Sequence, residues 1–572
     1  MMGSRSVAAY GTRTTRRGLR WSVATFAAAT LIAAGALPTS AQELTEEETA
    51  LRAEMLAIPG VGVGSPTDAD WQKVGELALG PTKENIAEGE CAGVELTFMG
   101  LINQNLHNFL FRGFLKPWEA YTGAKINWID LAQRDYNGFL QQGIATSTVN
   151  WDIMEMGAPF EGDMAGRGLL DPMPDWVADQ IDMDDYVDYL KAPVGTWDGV
   201  TYRISVDGDT HTYAYRKDYY ENADLAAAWA ESEYNSGGTE WAVPATWEEL
   251  NAQSKFLAGK TDPSFGGPAY GVLDPLNYIW GGFGFYFLED RAVAYSKVPG
   301  EPAYLFDPET MEPLVNDPGW VQAIQDVIDL MNTDGAYPPD QINRDPNLAF
   351  DQFLPGTGSS VLWWGDVGSN ARTSDSSVVG DLLGFDINPG ATRYYDWRTD
   401  EWVEEPNQSP NNAYIGWGVY VTSRAATSPN ANVSDETWRK CAWSAAAHLG
   451  GKDLSLWTAA YPSGFQPYRN SHFIIDEWVN AGYDQAFIED YLSSNADSYN
   501  HPNGANEPRI PGIFQYYSRG EDELVKGLGS GATAQEIADN IHDSWEDLTD
   551  QIGREQQLAL YRASLGLPAA EG

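Results

Sequence analysis

The stretch WDGVTYRISVDGDTHTYAYRKDYY, residues 197–220, decides the reading of the fold. It opens on a turn at Asp198-Gly199. From Thr201 to Tyr215 the residues Tyr, Ile, Val and Thr recur without a helical apolar stripe, the pattern of extended chain. Asp207-Gly208-Asp209 interrupts that pattern with two carboxylates and a glycine, at a place where the backbone must bend or be closely approached. The span reads as a crossing from one globular lobe to another, and a cleft between lobes then inherits both carboxylates. A hairpin in which the Asp-Gly pair is only a turn is the alternative.

Upstream, residues 93–99 (GVELTFM) alternate as a strand, and a helix with Phe109, Phe111, Phe114, Leu115 and Trp118 follows, stopping at Thr122-Gly123. Residues 125–129 (KINWI) form the next strand, 134–145 a helix and 151–156 (WDIMEM) a third strand, after which Gly157-Ala158-Pro159 turns into another helix. Strand, helix and strand in short succession build a parallel sheet. Ligands sit at the carboxyl ends of such strands, which puts 100–104 and 155–161 on one edge. Residues 42–91 read as an acidic extension, with Leu51, Met55 and Leu56 on one side of a short helix and a second helical piece from Asp68.

Downstream, PATWEEL at 244–250 is a helix start, with Thr246 as N-cap and Glu249 as its capping-box partner. Residues 277–287 (NYIWGGFGFYF) are either a buried helix-to-loop junction or rings facing a ligand. Asp317 caps an amphipathic helix over 318–331 with Pro318 at its first position. Residues 361–364 (VLWW) are a short strand that breaks at Gly365-Asp366, and 414–422 (YIGWGVYVT) alternate as a second crossing. A helix over 437–449, a constrained loop over 462–471 and a helical end over 521–565 complete the chain. It leaves a lobe and returns with no linker composition between, so two interleaved lobes joined by several strands are expected.

At 572 residues, two or three packing units are required, and 43% hydrophobic residues with 22 Trp predict a filled interior. A net charge of −47 excludes nucleic acid as a partner and opposes an anionic membrane surface, since like charges repel within a screening length of ~8 Å. Residues 1–41 read as a signal peptide: Arg5, Arg13, Arg16, Arg17 and Arg20 precede an apolar run over 23–37 and the small residues Thr39-Ser40-Ala41. Both Sec and twin-arginine export fit them. No cysteine follows the run and no later stretch reaches the ~20 apolar residues of a span, so a soluble periplasmic protein is expected. Cys91 and Cys441 are either bridged, as an oxidising compartment permits, or two buried thiols. The six histidines show no ligand spacing, and no metal or cofactor is expected.

Four phrases in order carry a resemblance: Gly168-Leu169-Leu170-Asp171, the run from Thr201-Tyr202 to Tyr215-Arg216-Lys217-Asp218, Pro244-Ala245-Thr246-Trp247-Glu248-Glu249-Leu250, and Pro467-Tyr468-Arg469-Asn470-Ser471. Over roughly Gly93 to Gly566 the chain resembles the periplasmic solute-binding proteins of carbohydrate ABC importers, the maltose-binding-protein-like group. The resemblance implies an α/β, two-lobed periplasmic-binding-protein fold of type II, each lobe a mixed sheet flanked by helices. Lobe I then comprises 92–205 plus 412–462 and lobe II 206–411 plus 463–566. It further implies a monomer that captures a sugar or polyol by hinge closure and presents it to the transmembrane subunits of an ABC permease.

Carried over position by position, the resemblance places ligand-binding roles on Gln104, Glu155, Asp209, His211, Tyr278, Trp280, Trp364, Asp366, Trp417 and Arg469. Carboxylates and amides would bind hydroxyls, and flat rings would cover apolar C–H faces. Where the family carries a polar aromatic cluster after its third strand, this chain has Glu155 and then Gly157-Ala158-Pro159-Phe160. An exported carbohydrate-active enzyme, with Asp209 paired to Asp366 or Glu155 as acid and base, is the rival class.

Overall fold

In the computed structural model the expected crossing splits into two short strands that join different sheets. The structure describes residues 67–569, apart from 102–106, 278–280, 340, 344–345, 374–376, 425–432 and 462–463. The expected signal peptide and the first part of the extension lie outside the described residues.

The strands are β1 (Glu95–Leu101), β2 (Lys125–Leu131), β3 (Ile153–Gly157), β4 (Ile204–Ser205), β5 (His211–Arg216), β6 (Val272–Leu273) and β7 (Ser360–Trp364). They continue with β8 (Leu383–Asp386), β9 (Tyr394–Asp396), β10 (Glu401–Val403), β11 (Asn411–Asn412), β12 (Trp417–Val421) and β13 (Ala505–Asn506). The first sheet has the order β2-β1-β3-β12-β4, with β1 parallel to both neighbours and β12 antiparallel to β3 and β4. The second has the order β6-β7-β5-β8, with β5 antiparallel to β7 and β8 and β6 parallel to β7. Both sheets are thus mixed, as the resemblance implied.

The first sheet is built by the expected alternation of strand and helix. Helix His107–Thr122 follows β1 and buries Leu110, Phe111, Phe114, Leu115 and Trp118, one stripe at helical spacing. Gly123, at φ 75°, turns the chain into β2. Helix Asp68–Glu76, closed by a capping box at Thr67, lies directly on this helix: a Cβ on Gly113 would stand 2.4 Å from the Cβ of Trp71. The later part of the extension therefore belongs to the body of the first sheet. Cys91 and Cys441 are bridged, with Cα atoms 6.0 Å apart, which resolves the open alternative and ties the end of the extension to helix Asp435–Leu449.

Against the second sheet runs helix Phe283–Ser296, buried on every side. A helix apolar all round belongs in a core, but this one also carries Glu289, Asp290 and Arg291, and Arg291 is paired to Asp274 at 2.5 Å. Helix Pro318–Met331, which packs against it, starts as expected: Asp317 accepts from the N–H of Trp320 at 2.9 Å.

Two local expectations are corrected. Thr246 does cap helix Trp247–Leu257, but the carboxylate of Glu249 accepts from the N–H of Ala245 at 2.9 Å, one residue outside the capping box. The second crossing is not extended throughout: Tyr414, Ile415 and Gly416 have φ of 70°, 58° and 108°, and β12 begins only at Trp417. Alternation alone cannot register such a corner, because it depends on what the backbone meets. Among the described residues no helix is long and apolar enough to cross a membrane.

Candidate functional site

Three spans meet where the two sheets are joined. In the first, β4 ends and Val206 donates to the carbonyl of Trp417 at 3.1 Å. Asp207 then accepts from the N–H of Gly208 at 2.8 Å and of Gln466 at 2.7 Å, and its other oxygen accepts from the N–H of Trp417 at 3.4 Å. One side chain so binds the second span, at 417, and the third, at 466. Gly208 is required for the approach, since a Cβ there would lie 2.4 Å from the carbonyl oxygen of Pro467. Asp209 accepts from the side-chain amide of Gln466 at 2.6 Å, and Thr210 donates to Asn412 at 2.8 Å.

Burial dominates the charge of this knot. It pushes the Asp207 carboxyl up to about 6, against the opposing pull of the Gln466 N–H. Asp209 is raised well above the carboxylate range, by burial first and then by Asp207 and Asp366. Asp366 is raised likewise, by burial and by Asp207. The two carboxyls shift each other in opposite senses: Asp207 raises Asp209, while the hydrogen bond from Asp209 favours the charged form of Asp207. Burial thus disfavours ionisation of Asp209 and Asp366 more than that of Asp207.

Aromatic rings enclose the acids. Trp417, opposite Gly157 at the carboxyl end of β3, lies 5.0 Å from Tyr414 and 5.7 Å from both His107 and Tyr136. Trp364, opposite His211 at the end of β7, lies 4.5 Å from that imidazole and 6.0 Å from Phe283. Phe283 in turn is 5.2 Å from Tyr414. Trp364, Phe283, Tyr414 and Trp417 make one continuous run of rings from the second sheet to the first. Such rings bury apolar C–H faces with few rotamers to freeze.

The expected residues fare differently. Asp209, Asp366, Trp364 and Trp417 converge. Glu155 ends the interior of β3 and is occupied within the protein: it pairs with His107 at 2.5 Å and accepts from the N–H of Leu101 at 3.1 Å. His211 is fully buried, faces Asp290 at 2.8 Å and stacks on Phe287, so it braces Trp364 from behind. Arg469 is held within the protein. Its guanidinium donates to the carbonyls of Asp182 and Gly450 and lies over Tyr186, fastening the third span to the body of the first sheet. Ser471 and Asn470 bond the same region, at Asp185 and Tyr186. Gln104, Tyr278 and Trp280 lie outside the described residues.

Four residues at the joint were not singled out in the sequence reading, Gln466, His107, Tyr414 and Phe283, whereas Asp207 was expected at the cleft as one of its two carboxylates. Asp207, Gln466, Tyr414 and Phe283 each lie in a phrase singled out above. His107, stacked at 4.1 Å on Phe465, had no spacing to mark it.

Residues 114–356 match the family model described as bacterial extracellular solute-binding protein. That segment runs from within helix His107–Thr122 to just before β7, so it contains Glu155 and Asp209 and ends before Trp364 and Trp417. Solved structures extend the likeness of fold over most of the chain. A solute-binding protein from Agrobacterium radiobacter K84 in complex with ribitol aligns at TM-score 0.59 and 19% identity, covering 80% of this chain and 99% of that one. One from Agrobacterium vitis S4 with bound D-mannitol aligns at 0.55 and 17%, covering 81% and 99%. Maltose-bound MalE3 of T. maritima aligns at 0.57 and 14%, covering 80% and 100%. No curated protein matches the chain. The solute-binding family and these neighbours are binding proteins.

Proposed function

We propose that this protein is the exported substrate-binding component of an ABC importer, taking up an uncharged sugar or polyol between two lobes and delivering it unaltered to a membrane permease. The observation that carries the reading is the convergence of Asp209 and Asp366 with Trp364 and Trp417 where chain spans join the two sheets. Carboxyl groups exchange hydrogen bonds with ligand hydroxyls, at ~1.5 to 3 kcal/mol for each charged partner. The indole rings cover the ligand's C–H faces, and Gln104, Tyr278 and Trp280 are further ligand contacts implied by the resemblance.

Lobe I comprises 92–205 and 412–462, and lobe II 206–411 and 463–566. Ligand that touches both stabilises the closed form over the open one, and only this difference in affinity drives closure. The protein acts as a periplasmic monomer, is exported through residues 1–41 and transforms nothing.

A thermal-shift screen of the purified chain against pentitols, hexitols, monosaccharides and maltodextrins tests this. A ligand at 100 times its dissociation constant should raise the stability by ~2.7 kcal/mol and be recovered intact. Release of cleaved product would replace the receptor with the enzyme, and no shift across the panel would reject the ligand class.

A further inference from the structure

The corner at 414–416 holds three consecutive residues in the left-handed region, two of which are not glycine. Such backbone persists only where its surroundings impose it, and here they do so from three sides. The N–H of Tyr414 donates to Glu507 at 3.0 Å, Tyr189 donates to the carbonyl of Ile415 at 3.4 Å, and Ala158 donates to that of Gly416 at 3.2 Å. The result is to swing the Tyr414 ring over the carboxyl end of β3. Gly157 makes room for it there, since a Cβ on Gly157 would lie 2.2 Å from the phenol carbon Cζ.

We propose that Tyr414 is a specificity-determining residue of the binding site, its hydroxyl donating a hydrogen bond to one hydroxyl oxygen of the bound sugar or polyol. The inference rests on the receptor reading above. The ring is only 2% exposed, yet its hydroxyl has no hydrogen-bond partner among the described residues. Buried donors are nearly always satisfied, so an acceptor beyond the described residues is called for, and a ligand hydroxyl would supply it. Burial and the nearby Tyr136, Asp209, Glu507 and Glu155 all oppose ionisation of the phenol, which therefore remains a donor. The acids next to it complement this role: a ligand hydroxyl that accepts from Tyr414 can pass its own proton into a bond with a carboxyl of the Asp207 and Asp209 pair. The indole N–H of Trp364, also without a partner, faces the same run of rings from the second sheet. Because Tyr414 sits on a crossing span, the contact that reads the ligand also bears on the joint between the lobes.

The test is calorimetric titration of the wild type and Tyr414→Phe with ribitol, D-mannitol, D-glucose and maltose, followed by deoxy analogues of whichever probe binds. Tyr414→Phe should weaken the bound probe about fivefold with its denaturation midpoint unchanged. One deoxy analogue should bind the wild type more weakly by the same factor yet bind Tyr414→Phe as well as its parent, a coupling that a packing role would not produce. Equal affinity of both proteins for a bound probe overturns the inference and leaves the receptor standing. Binding of no probe by the wild type overturns the receptor reading, and the inference with it.

Discussion

The side-chain amide of Gln466 donates to Asp209 at 2.6 Å, joining two residues 257 apart in sequence. With the main-chain N–H of Gln466 on Asp207, it makes the third span a part of the acid pair. Gln466→Leu keeps the volume and the main-chain bond but leaves Asp209 buried without its donor. A loss of ~1 to 3 kcal/mol is expected from urea denaturation, and a variant as stable as the wild type would mean that the bond is dispensable.

Asp209→Asn should separate binding from folding. Asn keeps the oxygen that accepts from Gln466, and burial already disfavours the ionised carboxylate, so stability at pH 7 should hold within ~0.5 kcal/mol. Affinity for the sugar or polyol should fall about tenfold or more. Titration decides this, and an unchanged dissociation constant would remove Asp209 from the site.

Stability should decline in mildly alkaline solution. Burial raises Asp317 to about 7 and Glu507 to about 8, from the 3.8 and 4.5 of free groups. Each therefore binds more proton folded than unfolded, and its contribution, complete below the free value, disappears as pH climbs through the folded one. His448 has the opposite sign: burial lowers it to about 4 from 6.5, so its effect is confined to acid solution, where falling pH removes stability. Urea midpoints at pH 6.5, 7.2 and 8 should decrease in that order, and Glu507→Gln should flatten the upper part of the slope; above this window Lys297, lowered to about 8 by burial, acts in the opposite sense. Midpoints that rise over this interval would contradict the assignment.

Gly416→Ala probes the corner. The new Cβ would lie 2.4 Å from the carbonyl oxygen of Asp207 at a φ of 108°, so a loss of ~2 kcal/mol or more is expected. Circular dichroism melts would reveal it, and a melt like that of the wild type would show that the spans can part without cost.

Replacing Cys91 and Cys441 together by Ser should cost ~2 to 4 kcal/mol, because their bridge closes a loop of 350 residues in the unfolded chain. Matching denaturation curves with and without reductant would deny the bridge a role in stability.

The joint between the lobes was legible because it needs residues that are conspicuous: Asp207-Gly208-Asp209 breaks an extended run, and only a close backbone approach explains the glycine. Strand positions for Trp417 and Trp364 were legible from the apolar runs that contain them, and the structure has them at the start of β12 and the end of β7. The direction of Arg469 was not legible, because an arginine in a loop phrase does not reveal which acceptors its donors reach, here the carbonyls of Asp182 and Gly450. His107 and Gln466 could not be read in advance, since each acquires its role from a partner far away in sequence, Glu155 or Asp209. The left-handed corner was hidden for the same reason: Glu507 and Tyr189 impose it across the fold.

The order of strands has a consequence for how the chain is made. β12 lies between β3 and β4 in the first sheet, although the polypeptide reaches it only after all of the second sheet has been laid down. The earliest-synthesised body thus remains a sheet with an open seam, unable to close until residue 417 arrives. Assembly of this molecule is a late, concerted event that a fragment ending before that point cannot rehearse.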